Sequence, residues 1–132
     1  MALNILSGRD VRGTGFAGSQ RPNYVGGSIY ADNRGPDAWF NRNAFAFPAN
    51  GQYGNVGRNI GLGAAVYQLD LSFIKNTRLF QEQNLQFRAE MFNFPNTPIW
   101  NAPVNQLTNV NFGRILNAQP GRQIQLALRY QF

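Results

Sequence analysis

The sequence predicts an all-β chain, a fragment of an antiparallel transmembrane β-barrel, and three observations carry that prediction. Three stretches alternate apolar and polar residues with period two. Each runs for about ten residues, and a tilted strand needs about 9–11 to cross a bilayer. Only 14% of residues are charged, against about 25% in typical soluble domains, and Asn and Gln supply the polarity instead. No stretch keeps its apolar residues at the i, i+3, i+4, i+7 spacing of a helix.

Residues 1–65 hold twelve of the fourteen glycines, with Pro22, Pro36, Pro48 and many asparagines. Gly and Asn tolerate positive φ and Pro lacks a ladder donor, so this region reads as a long irregular loop. Asn4 to Leu6 reads as the end of a strand begun upstream. Eight aromatics punctuate the loop: Phe16, Tyr24, Tyr30, Trp39, Phe40, Phe45, Phe47 and Tyr53. They serve either to pin the loop on itself or to touch a ligand, with Tyr24, Trp39, Phe40 and, further on, Trp100 the candidate contacts. The glycines of GNVGRNIGLG (54–63) lack the Lys-Ser/Thr of a phosphate loop and the spacing of a dinucleotide fingerprint.

From Val66 the texture changes. In VYQLDLSFIK, Leu69, Leu71 and Phe73 alternate with Gln68, Asp70 and Ser72. In NLQFRAEMFNF, Leu85, Phe87, Ala89 and Met91 alternate with Gln86, Arg88 and Glu90. In the final segment, Ile124, Leu126, Leu128, Tyr130 and Phe132 alternate with Gln123, Gln125, Ala127, Arg129 and Gln131. The predicted strands are therefore Val66–Lys75, Asn84–Phe94 and Arg122–Phe132. A short turn over 76–83 joins the first two, and a long loop over 95–121, with four prolines and two glycines, joins the last two. The strands exceed the five or six residues usual in soluble sheets.

The polar faces carry Gln68, Asp70, Gln86, Arg88, Glu90, Gln125 and Arg129, amides and charges of both signs that suit a hydrated lumen. A soluble sandwich would favour Lys, Glu and Thr there, yet composition alone leaves a soluble β-sandwich as the alternative. Pairing the first two strands with Phe73 opposite Leu85 sets Asp70 across from Arg88. Asp70 and Glu90 accordingly read as partners of Arg88 and Arg129 rather than as a catalytic pair, and no enzyme is expected. Three strands do not close a barrel, and an open edge in lipid leaves amides unpaired at several kcal/mol each. Further strands are expected from chain not present in these 132 residues.

The formal charge of +6 comes from eleven arginines and one lysine against six acids. It is spread evenly along the chain without the basic stripe of a nucleic-acid binder, so no nucleic acid is expected. With neither Cys nor His, disulfides, thiolate nucleophiles and the usual zinc sites are excluded, and no cofactor is implied. The sequence has no apolar run long enough for a membrane helix and does not begin like a signal peptide. It is either cytosolic or a piece of a longer chain.

Six segments together carry a resemblance: RPNYVGG (21–27), WFNRNAFAFPANGQYGNVGRN (39–59), LDLSFIKNTRL (69–79), LQFRAEMFNFPNTPIW (85–100), NFGRI (111–115) and RQIQLALRYQF (122–132). In this order they resemble the C-terminal end of TonB-dependent outer-membrane receptors, in the Oar-like branch that often carries a carboxypeptidase-regulatory-like domain. Around 92–98 the family more often reads FNLFNHPNF, and this chain has the shorter FNFPNTP. The resemblance implies a barrel of about 22 strands with an N-terminal plug, located in the cell outer membrane.

It also implies that Leu128, Tyr130 and Phe132 form the signal read by the barrel-assembly machinery, although an aromatic girdle at the membrane rim would equally account for Phe132. The implied partners are outer-membrane lipid, the rest of the barrel and plug, TonB through the missing N-terminal part, and an unknown small ligand. Loops 7–65 and 95–121 would then be extracellular and face that ligand, in energised uptake. The alternative is a surface structural or adhesion barrel without transport.

Overall fold

The computed structural model describes residues 1–80 and 82–132; the predicted turn over 76–83 includes Gln81, which lies outside the described residues. Two compact units form. One comprises 1–65 with 100–118, and the other 66–99 with 119–132. Apart from one 3-10 turn, the regular structure among the described residues of both is β.

In the first unit the frequent Gly, Pro and Asn permit only short ladders. Strand β1 (Ala2–Leu3) comes first, followed by β2 (Asn23–Tyr24) and β3 (Tyr30–Gly35). Next are β4 (Ala38–Phe40), β5 (Phe45–Ala46) and β6 (Gly61–Leu62). They pair antiparallel as β1 with β6, β2 with β5, and β3 with β4. The strand end expected at Asn4–Leu6 lies earlier, at Ala2–Leu3. Leu6 instead makes an isolated parallel bridge to Gln106, closed by Leu6 N–H to Asn105 O at 2.9 Å and Leu107 N–H to Leu6 O at 2.9 Å. Between β4 and β5, Asn41 Oδ1 accepts the Asn43 N–H at 3.0 Å and starts the 3-10 turn Arg42–Ala44.

What holds this unit is burial of Ile5, Phe40, Ala44, Phe45, Val56, Leu107 and Phe112, with Trp39 and Tyr30 packed against them. Each large side chain so buried contributes about 1.5–3 kcal/mol. The segment 100–118 is thus part of the same core as 1–65. Gly113 shows how closely the two segments fit: its φ is +80°, and a Cβ there would lie 2.5 Å from Phe40 O. Trp39 N–H donates to Gly113 O at 2.6 Å.

The second unit is a three-stranded antiparallel sheet in the order β7 (Leu71–Arg78), β8 (Asn84–Phe92), β9 (Gln123–Gln131). Period-two patterning forms these strands, but their ends and register differ from expectation. Strand β7 begins at Leu71, because Asp70 and the residues before it serve a turn described below, and it continues through Arg78. The tight connection is closed by Leu79 N–H to Gln83 O at 3.0 Å, so Thr77 meets Leu85 and Phe73 meets Ala89 rather than Leu85.

Parity survives the shift, which is why the faces stay coherent. Along one face run the rows Leu71–Met91–Ile124, Phe73–Ala89–Leu126, Lys75–Phe87–Leu128 and Thr77–Leu85–Tyr130. On the other run Ser72–Glu90–Gln125, Ile74–Arg88–Ala127, Asn76–Gln86–Arg129 and Arg78–Asn84–Gln131. The outer edges of β7 and β9 are unpaired within this sheet.

Candidate functional site

The polar face of the sheet gathers Gln86, Arg88, Glu90, Gln125 and Arg129. Glu90 lies opposite Gln125, and Gln86 opposite Arg129. Two residues apart on β8, Arg88 Nε and Glu90 Oε1 approach to 3.5 Å. Gln86 donates to Asn76 Oδ1 at 2.8 Å. Half-exposed groups of this kind are joined by contacts worth about 0–1 kcal/mol each, so the face is a hydrated, interconnected surface and not a rigid polar core.

Asp70 is not Arg88's partner, contrary to the expected register: Arg88 faces Ile74 on one side and Ala127 on the other. The carboxylate of Asp70 accepts the Asn93 N–H at 2.9 Å and the Gln68 amide at 3.1 Å. Asn93 is buried, sits at φ +51°, and its side chain donates to Thr97 O at 2.9 Å. Phe94 N–H donates to Leu69 O at 2.8 Å, and Arg122 N–H to Asn96 Oδ1 at 2.9 Å. FNFPNTP is thus a clip that ties the start of β7, the end of β8 and the approach to β9 at one end of the sheet. Asp70 and Gln68 belong to that clip, which period-two alternation does not signal.

The opposite face is apolar and exposed. Leu126 and Leu128 are 65% and 69% accessible, and the only lysine, Lys75, stands in its third row. Beyond the last row, Phe132 is 94% exposed, its ring 5.8 Å from that of Tyr130. A face this apolar, on strands of eight and nine residues, suits hydrocarbon, not water.

Among the candidate contacts in the first unit, Phe40 is corrected: at 4% exposure it is core, its ring against Tyr30 and Phe112. An aromatic at the centre of a loop cluster is taken up by packing. Trp39 and Trp100 meet edge-on at 6.1 Å, and the Trp39 indole donates to Leu62 O at 2.7 Å. Tyr24 is exposed, with its hydroxyl donating to Gly27 O at 2.6 Å.

A polar loop escaped the sequence reading altogether. Around Asp10 the backbone N–H groups of Arg12, Thr14 and Gly15 converge on one carboxylate at 3.3, 3.1 and 2.6 Å, and the Gln20 amide joins them. Desolvation is the largest single influence and works against the ionised form, but the hydrogen bonds from Thr14, Gln20, Gly15 and Arg12 together outweigh it and hold the carboxyl down at about 2. A depressed value means that the contribution of Asp10 to loop order is complete above the unfolded value of about 3.9 and is lost as pH falls through the folded one. The Thr14 and Gly15 amides should therefore keep their slow hydrogen exchange at pH 3. A transition centred near pH 4 would show that the carboxylate is not held.

A family model for the outer membrane beta barrel domain matches residues 1–125. The chain belongs to the outer membrane beta barrel domain family. No curated protein and no solved structure is a significant match. Membership places the barrel domain in the outer membrane and gives the three-stranded sheet a role as barrel wall. The alternation of apolar and polar rows is what such a wall requires, one face toward lipid and the other toward the interior.

Proposed function

We propose that this barrel domain is the C-terminal part of a TonB-dependent receptor, supplying wall strands and ligand-facing loops for energised uptake. The observation that carries the wall is the register: four apolar and four polar rows lie unmixed on opposite faces, save for Lys75, Thr77, Ile74 and Ala127. The open edges of β7 and β9 call for further strands, since unpaired amides in lipid are costly. The receptor assignment is supported by the six ordered motifs, from RPNYVGG to RQIQLALRYQF. On this reading Gln86, Arg88, Glu90, Gln125 and Arg129 face the lumen, and the first unit is extracellular. TonB acts through an N-terminal plug, and Leu128, Tyr130 and Phe132 address the assembly machinery.

Topology and energy coupling are tested together in the full-length receptor. A cysteine at Asn105 should react with an impermeant thiol reagent on whole cells, whereas one at Glu82, in the tight turn, should be protected until the outer membrane is opened. The purified receptor should also bind the periplasmic domain of TonB. Inverted labelling would overturn the topology. Correct labelling without TonB binding would leave a surface structural barrel in place of a transporter.

A further inference from the structure

The first unit holds seven arginines against three aspartates, and those aspartates do little to neutralise one particular cleft. The cleft, of about 620 Å³, is lined by Leu3, Asn4, Ser19, Arg21, Arg58 and Asn105 among others, with no carboxylate in its wall. Asp10 is saturated by its own loop, and Asp37 is paired with Arg114 at 3.0 Å. Asp32 lies on β3, outside the cleft.

The wall is built rather than accidental. Asn4 fastens both of its sides: its Oδ1 accepts the Asn59 N–H at 2.8 Å, and its backbone O accepts the Asn105 amide at 2.7 Å. Asn59, at φ +53°, turns the chain immediately after Arg58. Gly54 packs so closely that a Cβ would sit 1.9 Å from Arg21 O, fixing that backbone. Arg21 directs one guanidinium N–H to Val56 O at 2.8 Å. Arg58 has no hydrogen bond or ion pair with any described residue.

Two arginines line this braced wall with no carboxylate among the lining residues, and a guanidinium group is a forked donor matched to an oxyanion. We propose that this cleft binds a soluble anion carrying phosphate or carboxylate groups, held by Arg21 and Arg58. The assignment rests on the uptake reading and adds the chemical class of its ligand.

The test is equilibrium binding of inorganic phosphate and of succinate to the full-length receptor in detergent at low ionic strength. Saturable binding of at least one anion is expected, weakened about tenfold or more by Arg58→Gln, the loss of a charge-assisted hydrogen bond. Arg58→Lys should retain part of it. Arg34→Gln, which removes a guanidinium lying 4.2 Å over the Tyr30 ring and outside the cleft, should change nothing. Arg21→Gln should also weaken binding, but Arg58→Gln is the cleaner variant because it breaks no bond among the described residues. Absence of saturable binding, indifference to Arg58→Gln, or an equal loss in Arg34→Gln would overturn the site. TonB takes no part in this measurement. Failure here would therefore leave the uptake reading standing, and a receptor that binds anions but not TonB would lose uptake and keep the site.

Discussion

Leu126→Arg is expected to destabilise the finished barrel by about 2–4 kcal/mol, while Gln125→Arg, one residue away, should change it by no more than about 0.5 kcal/mol. The contrast follows from register. Leu126 stands in the row Phe73–Ala89–Leu126, inside the apolar face, where a guanidinium must enter hydrocarbon. Gln125 stands on the opposite face across from Glu90, so an arginine there gains a carboxylate neighbour in a hydrated setting. Lys75 does not argue against the assignment. It lies nearer the tight turn than the Phe73 row does, and its long stem lets the ammonium reach the headgroup level. Charge becomes cheap at that depth, with costs falling to about 0–1 kcal/mol near the interface. Unfolding of the full-length protein from lipid vesicles measures both variants, and equal tolerance of the two would reverse or abolish the inside and outside of this wall.

The faces that decide this result were legible in the sequence, because period two assigns a residue to a face whatever its partner. Register was not. A strand may slide by two residues at a time without moving any side chain to the wrong face, so hydrophobic pattern alone did not separate Phe73–Leu85 from Phe73–Ala89. The length of the tight turn did. Asp70 was misplaced for a related reason: alternation from Gln68 to Ser72 looks like strand, but its carboxylate is taken by Asn93, in a clip that places two asparagines, Asn93 and Asn96, at positive φ.

The first unit was the least legible. Its defining contacts join residues far apart in sequence, Asn4 with Asn105 and Leu6 with Leu107, and leave no periodic trace. The aromatics did announce a packed loop, and Phe40, Phe45 and Phe112 form its centre. What the sequence did not reveal is that the segment 100–118 completes that core, and with it the wall of the arginine cleft.

Deleting Phe132 is expected to reduce outer-membrane insertion severalfold while leaving the refolded barrel nearly as heat-resistant as the wild type. The ladder between β8 and β9 runs to the pair Asn84–Gln131, so removing Phe132 breaks no cross-strand pair. The residue is 94% exposed, and its ring lies tilted 5.8 Å from that of Tyr130 along the same face. Even with lipid around it, the lost apolar contact is worth at most about 1–2 kcal/mol. A residue that contributes so little to the finished sheet leaves its proposed role, with Leu128 and Tyr130 on the same face, to recognition during assembly, which the deletion tests. Tyr130, opposite Leu85, should behave differently: Tyr130→Ala should lower both insertion and thermal stability, since it removes a cross-strand pair as well as part of the proposed signal. Two readouts separate the roles: the amount of inserted protein in cells, and the melting of protein refolded in detergent. Normal insertion of the Phe132 deletion, with a lowered melting temperature, would make Phe132 a rim-packing residue and remove the assembly role from the end of β9.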